Sequence, residues 1–269
     1  MSERGIKYYL IPNLFLVIIM KIGVSTLALF PMSLKEILDY LESINVKYCE
    51  LMMEYPYNQI DPDIVNSYNL KTSIHAPLSD INISSLNESI RKASVEEVKN
   101  SIDLASKMDS EAVVVHPGHM AFLARKFPEK IKESSLISLK ECSKFAEERG
   151  IKLCVENMPD MEGMTCKGLD ELNDLVQEIG ALMTVDVGHA YNAGVPIDEI
   201  LKYDNIGHFH LSDNDGSFDN HNAVGSKDID FISLFEGLKK KNFEGVLVVE
   251  VTNKDEILES LDYIKKLVD

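Results

Sequence analysis

The sequence predicts a single α/β domain folded as a (β/α)8 barrel. From residue 21 onward, short strand-like segments alternate with longer helical ones. Several strand segments are almost continuously apolar, for example residues 112–115, which is typical of parallel strands covered on both faces. Eight such repeats in about 250 residues match the usual size of a closed barrel. A doubly wound open sheet is the alternative, but residues 25–28 lack the glycine-rich phosphate loop that follows its first strand.

The predicted strands are short, rich in β-branched and apolar residues, and most of them end at a polar residue. They cover residues 22–25, 48–52, 72–75, 112–116, 152–156, 182–186, 207–211 and 246–251. The predicted helices carry apolar residues at helical spacing on one face and charged residues on the other. They cover residues 34–43, 86–108, 129–149, 169–179, 197–201, 231–240 and 255–267. Gly150 is expected to end the third of these helices, just before the fifth strand.

Residues 1–19 precede the first predicted strand and do not fit the barrel pattern. Residues 8–19 are largely apolar, but the stretch is too short to span a bilayer as a helix. No small-residue cleavage site follows it, as a secretory signal would require. We expect residues 1–19 to be an N-terminal extension from an upstream start codon, with a peripheral anchor as the alternative. The barrel domain is then expected over residues 20–269, without a linker or internal repeat.

The composition is that of an acidic globular protein. The chain has 269 residues, of which 45% are hydrophobic, and a formal net charge of −17, which argues against a basic surface for nucleic acid. Its four cysteines, Cys49, Cys142, Cys154 and Cys166, form no CxxC pair. They are expected to be reduced core residues, which indicates a cytoplasmic protein. Neither a membrane nor an obligate protein partner is predicted.

A set of histidine and carboxylate side chains lies at or just beyond the ends of predicted strands, where the loops of such a barrel converge. Imidazole and carboxylate groups bind divalent transition metals, and this set is large enough for more than one ion. Its members are His75, His116, Glu156, Asp186, His189, His210, Asp219, His221 and Glu250. Burying its carboxylates around one axis would be prohibitive without cations to pair them. The sequence therefore predicts a metalloenzyme.

Ordered fragments around these residues carry a resemblance to a known family. They are His75-Ala76, His116-Pro117-Gly118, Val155-Glu156-Asn157, Asp186-Val187-Gly188-His189-Ala190, His210-Leu211-Ser212-Asp213, Asp219-Asn220-His221 and Glu250. In their order and spacing they resemble endonuclease IV, or AP endonuclease family 2, within the wider superfamily of xylose isomerase-like TIM barrels. The resemblance covers residues 20–269. Within that superfamily, the chain is also similar to members that resemble sugar phosphate isomerases and epimerases.

The resemblance implies three metal sites that share ligands. The first would be held by His75, His116 and a bridging Glu156, the second by Glu156, Asp186, His210 and Glu250, and the third by His189, Asp219 and His221. The expected cofactor is Zn²⁺, up to three ions, with Mn²⁺ or Fe²⁺ as alternatives. A bridging hydroxide would attack phosphorus while the ions stabilise the developing charge. We therefore expect a phosphoester hydrolase acting on abasic-site DNA or on a smaller phosphorylated sugar.

A sugar or sugar-phosphate isomerase or epimerase is the alternative function. This chain resembles such enzymes at Glu156, Asp186, His210 and Glu250. In those enzymes the corresponding residues hold a single metal, and two glutamates act as acid and base. Glu156 and Glu250 are therefore the expected catalytic residues. The Asp219–His221 pair favours the hydrolase, because it would contribute only to the third metal. The loop at residues 76–82 favours the isomerase, because it carries no aromatic or basic residue for reading DNA.

Overall fold

Eight parallel strands close into one barrel in the computed structural model, which describes residues 20–268. Each strand pairs with the next along the chain, and β8 pairs with β1 to complete the cylinder. The strands are β1 (Lys21–Ser25), β2 (Tyr48–Met52), β3 (Lys71–His75), β4 (Val113–Val115), β5 (Leu153–Glu156), β6 (Leu182–Asp186), β7 (Ile206–Leu211) and β8 (Val246–Val249). The predicted (β/α)8 TIM barrel is confirmed. The predicted extension, residues 1–19, lies outside the described residues.

Helices surround the barrel and follow its strands. They are α1 (Leu34–Ser43), α2 (Pro62–Asn66), α3 (Glu88–Lys107), α4 (Pro128–Glu147), α5 (Leu169–Ile179), α6 (Val187–Asn192), α7 (Ile197–Ile200), α8 (Phe231–Lys241) and α9 (Lys254–Val268), with short 3₁₀ helices at Thr26–Leu29 and Ala124–Lys126. Their apolar faces and the outward faces of the strands form one continuous core. The barrel scaffold is therefore a packed structure that holds the strand ends in fixed positions.

Capping and proline account for the main differences from the predicted boundaries. Helix α3, predicted over residues 86–108, begins at Glu88, two residues later than expected, because the Asn87 side chain accepts the Ser89 backbone N–H as its N-cap. Strand β4 ends before His116, which precedes Pro117, a residue with no N–H to extend the ladder. Helices α2 and α6 were not expected. Both are too short to show an apolar periodicity in the sequence.

The barrel interior contains an unusual number of polar side chains. Alternate residues of each strand point inward, and most TIM barrels fill this space with branched aliphatic residues. Here the inward positions at the strand ends belong to predicted metal ligands, among them His75, Glu156 and His210. On strands β3, β6 and β7, the residue two positions before the ligand is also polar and buried. These residues are Ser73, Thr184 and His208. A buried polar layer therefore lies directly below the ligands.

Candidate metal centre

The structure brings all the sequence-predicted ligands together at the C-terminal end of the barrel. Their nitrogen and oxygen atoms form three groups in which every member lies within 4.8 Å of the others. The groups are His75 with His116 and Glu156, then Glu156 with Asp186, His210 and Glu250, and finally His189 with Asp219 and His221. They are called here the first, central and third clusters. Glu156 belongs to two of them, as a bridging ligand would.

The spacing of the atoms in the first cluster suits a metal ion. Glu156 Oε2 lies 3.3 Å from His75 Nε2 and 3.3 Å from His116 Nε2. Tetrahedral coordination with bonds of about 2.0–2.1 Å separates neighbouring ligand atoms by about 3.3 Å. The two separations measured from Glu156 are therefore those expected between ligands of one divalent ion.

The central cluster is fully buried and offers one nitrogen and three carboxylates. His210 Nδ1 lies 3.3 Å from Glu156 Oε1, 3.2 Å from Glu250 Oε2 and 3.9 Å from Asp186 Oδ2. Asp186 Oδ2 has no hydrogen-bond partner among the described residues, although the side chain is 0% exposed. An unpartnered buried carboxylate oxygen is costly, and a cation would relieve that cost. The donor set thus fits a divalent ion.

The third cluster depends on two local structures after strands β6 and β7. Asp186 caps helix α6 by accepting the His189 N–H at 2.7 Å, which places His189 on the first turn beside the site. The loop after β7 folds back through a bridge between Asp213 and Asn222. His221, in this loop, has a positive φ of 46°, a conformation less costly for histidine than for most residues. Asp219 Oδ2 then lies 3.1 Å from His189 Nε2 and 3.0 Å from His221 Nε2.

Backbone carbonyl groups orient three of the ligand rings. His75 Nδ1 lies 2.8 Å from the Ala76 carbonyl oxygen, His189 Nδ1 lies 2.8 Å from that of Asn157, and His221 Nδ1 lies 3.0 Å from that of Glu250. A carbonyl can only accept, so Nδ1 carries the hydrogen in each ring. Nε2 is then left with a lone pair directed at its cluster, as metal-binding histidines require.

His210 is oriented in the opposite sense, by a residue that the sequence analysis did not single out. Its Nδ1 faces the central cluster, and its Nε2 lies 2.9 Å from Glu50 Oε1 on strand β2. Glu50 Oε2 lies 2.8 Å from His208 Nε2 and accepts a hydrogen bond from Ser73 Oγ at 2.9 Å. The two histidine contacts are charged pairs without aligned hydrogen bonds, and the ligand atoms of Glu50, His208 and His210 also lie within 4.8 Å of one another. A carboxylate in the middle of an otherwise apolar strand was the available sequence signal.

Without a cation, the charges of the clusters hold protons on several ligands. Burial opposes a charge on His75, but its hydrogen bond to Glu156 outweighs this and raises the pKa to about 9. The pKa of His189 rises to about 9 against burial, mainly because of the Asp186 charge. Burial also opposes the His221 charge, yet a hydrogen bond to Asp219 raises its pKa to about 10. Burial is the main cause that raises the pKa of Asp186 to about 6, and the charges of Asp219 and Glu156 add to it.

These pKa values predict how pH acts on the metal-free protein. Folding raises the pKa of each of these histidines above its ordinary value of 6.5. Their stabilising contribution is complete below about pH 6.5 and is lost as the pH rises through their folded pKa values. We therefore expect the melting temperature of the metal-free protein to fall between about pH 6.5 and about pH 10. Stoichiometric Zn²⁺ requires neutral imidazoles, so the stabilisation it brings should grow over that range.

Calorimetry at several pH values, with and without Zn²⁺, measures both effects. His221→Gln is the matched variant, because it removes one of the raised histidines and should flatten the fall for the metal-free protein. A melting temperature that does not fall across this range in the metal-free wild type would contradict the assignment of protonated ligands.

The loops around the clusters offer little for binding DNA. Of the two tyrosines after β2, Tyr55 is 80% exposed, but Tyr57 is buried and its hydroxyl donates a hydrogen bond to the Met32 carbonyl. Tyr57 is therefore a packing residue. A cavity of about 110 Å³ lies beside His116 and is lined mostly by apolar side chains, including Pro77, Leu78, Met158 and Met164, with His119 among the polar ones. Within residues 20–268, no lysine or arginine lines that cavity.

Comparisons with known proteins agree with the barrel fold. A family model described as a xylose isomerase-like TIM barrel matches residues 62–267. Uncharacterized protein MJ1311 of Methanocaldococcus jannaschii is 33% identical over 264 residues, covering 93% of this chain and 90% of that protein. The crystal structure of a D-tagatose 3-epimerase-like protein superimposes with a TM-score of 0.86 at 32% identity, covering 93% of this chain and 97% of that one.

A further relative has a named activity. The fructoselysine 3-epimerase of Shigella flexneri is 26% identical over 172 residues, which is 61% of this chain and 60% of that protein.

Among the described residues, no helix is both long and apolar enough to cross a membrane.

Proposed function

Because the chain belongs to the xylose isomerase-like TIM-barrel family, we propose that it is a metal-dependent epimerase or isomerase of a sugar or sugar phosphate. The observation that carries this proposal is the central cluster, in which Glu156, Asp186, His210 and Glu250 converge and are all buried. The similarity of this chain to an epimerase-like protein, over nearly its whole length, supports this function over the hydrolase expected from the sequence.

Glu156 and Glu250 are the proposed acid and base. Each places one oxygen within 3.3 Å of His210 Nδ1, so their carboxylates border the same small space. A divalent ion held by the central cluster would polarise the carbonyl and hydroxyl oxygens of the sugar. One glutamate removes the proton from the carbon next to the carbonyl, and the electron pair moves onto the carbonyl oxygen to form an enediolate. The other glutamate, which has first taken a proton from solvent, delivers it to the opposite face of that carbon. The carbon is inverted, the first glutamate is left protonated and the second is left anionic.

The charges of the two glutamates suit these roles. Burial disfavours their charged forms, but the neighbouring histidines, His210 first among them, together outweigh it and lower the pKa of both, that of Glu156 more strongly. Both are therefore anionic at neutral pH, as a metal ligand or a general base must be. The cavity beside His116 would receive part of the sugar. Its apolar lining, free of lysine and arginine, favours an unphosphorylated end at that position.

Phosphoester hydrolysis is the second candidate function, and one observation favours it. In the third cluster, Asp219 Oδ2 lies 3.1 Å from His189 Nε2 and 3.0 Å from His221 Nε2. A one-metal epimerase would not need these three residues as ligands. If three ions bind together, the site could stabilise the charge of a phosphoryl transition state.

The experiment that tests the proposal is solvent exchange in deuterated water. The purified protein, supplied with Mn²⁺, Co²⁺ or Zn²⁺, is incubated with a panel of ketoses and ketose phosphates and followed by proton NMR. An epimerase should replace the hydrogen on the carbon next to the carbonyl with deuterium and accumulate the epimer. Cleavage of an abasic-site duplex is assayed in parallel. Exchange with no cleavage supports the proposal, whereas cleavage without exchange on any sugar would overturn it.

A further inference from the structure

The central cluster differs from the other two in what lies behind its histidine. Backbone carbonyls orient His75, His189 and His221, and these groups are neutral. Behind His210 lies the Glu50 carboxylate, 2.9 Å from Nε2. A carboxylate behind a metal-binding imidazole makes it a stronger donor than a carbonyl does, because the negative charge raises the electron density on the ring.

We propose that Glu50 is a positioning residue that makes His210 bind the metal through Nδ1 and gives the central cluster the highest metal affinity of the three. This inference rests on the proposed function, since it concerns the same metal site. Strands β8 and β1 lie between β7 and the strand of Glu50 around the barrel, so the Glu50 side chain crosses the interior to reach His210. It is too deep to touch a substrate, because its side chain is 0% exposed.

Burial energetics support a dedicated role for Glu50. A carboxylate inside a barrel core is costly unless its charge is compensated. Two histidines supply that compensation, because His210 Nε2 lies 2.9 Å from Glu50 Oε1 and His208 Nε2 lies 2.8 Å from Glu50 Oε2. Glu50 is therefore an anion fixed between two histidines and Ser73. Glu50 Oε1 and His210 Nε2 have no aligned hydrogen bond to any described residue, each other included, so the contact that carries the proposal is a charged pair at 2.9 Å.

The first test compares two variants for metal affinity. Glu50→Gln keeps the shape of the side chain and removes its charge, whereas Ser73→Ala removes a hydrogen bond to the same carboxylate and leaves the charge in place. Zn²⁺ and Co²⁺ are titrated into the metal-free full chain against a competing chelator. We expect Glu50→Gln to weaken the tightest site by about 10- to 100-fold and to shift the Co²⁺ absorption bands, as loss of a partner behind a ligand does. Ser73→Ala should stay close to wild type.

The second test needs no substitution at Glu50. Long-range proton–nitrogen NMR of the Zn²⁺-loaded wild type distinguishes the two ring nitrogens, and the signals lost in His210→Gln identify His210. We expect a metal-bound Nδ1 and a protonated Nε2 for His210, and the reverse for His75. This measurement decides the matter even if Glu50→Gln does not fold.

The outcomes separate this inference from the proposed function. A folded Glu50→Gln protein with wild-type Zn²⁺ affinity, or a His210 ring bound through Nε2, would overturn the role of Glu50 alone. A wild-type chain that binds no divalent metal would overturn both. A chain that shows the predicted Glu50 effects but exchanges no sugar hydrogen would retain the metal site and lose the epimerase assignment.

Discussion

A Glu250→Gln variant should lose about three orders of magnitude or more in epimerisation rate. The substitution removes the proposed acid or base, and it also removes a negatively charged ligand from the central cluster. Glutamine has nearly the same volume and remains buried, so the barrel should keep its melting temperature. The rate is measured by deuterium incorporation next to the carbonyl, together with the appearance of the epimer. Glu156→Gln should have a similar effect, since its carboxylate borders the same space.

The matched control is Glu244→Gln. Glu244 lies just before strand β8 at the opposite end of the barrel from Glu250, and its side chain is exposed. Its loss should leave the rate unchanged. An epimerisation rate for Glu250→Gln within about tenfold of wild type would exclude Glu250 as an acid or base. If the variant instead retains deuterium exchange but forms no epimer, the two glutamates would still act on separate faces, and Glu250 would be the proton donor.

Removal of the metal is expected to abolish turnover completely. The central cluster provides four donors and no positively charged side chain other than a protonated His210, so nothing else there would polarise the substrate carbonyl. Dialysis against a chelator should remove the activity, and added Mn²⁺, Co²⁺ or Zn²⁺ should restore it. Activity that persists in protein shown by elemental analysis to be free of metal would contradict the proposed mechanism.

The number of ions per chain distinguishes the two candidate functions. Near one per chain supports the epimerase, and near three supports the hydrolase. His221→Ala removes a donor of the third cluster. It should lower a count of three to two and reduce hydrolysis by about a hundredfold or more, if hydrolysis is the activity. Sugar epimerisation that survives His221→Ala but not Glu250→Ala would exclude the hydrolase.

The fold and the ligand set follow from short-range patterns in the sequence. Apolar runs such as Val113–Val115 identify strands, and the topology of a parallel barrel brings the residues that follow them to one end. The structure accordingly places His75, His210 and Asp219 where the pattern indicates. The function was harder to predict, because the same ligands support hydrolysis or epimerisation. The similarity of the whole chain to an epimerase-like protein, rather than any single residue, moves the preference to the latter.

Other features could not be predicted because they depend on contacts between distant strands. The contact from Glu50 to His210 joins β2 to β7 across the barrel, and no local spacing encodes it. The structure also places His208, from the same strand as His210, against that carboxylate. Which nitrogen of each ring faces the metal also depends on three-dimensional neighbours. Helix α6 was missed because it is created by the Asp186 cap rather than by an apolar periodicity.

The carbonyl groups behind His75, His189 and His221 have an evolutionary consequence. A main-chain oxygen is present whatever amino acid occupies its position, so single substitutions cannot remove it. The donor strength of these three rings is therefore inherited with the fold. Behind His210, by contrast, the partner is encoded by one codon at position 50. Descendants of this barrel could thus tune or abandon the central ion through a single mutation while the peripheral positions stayed the same.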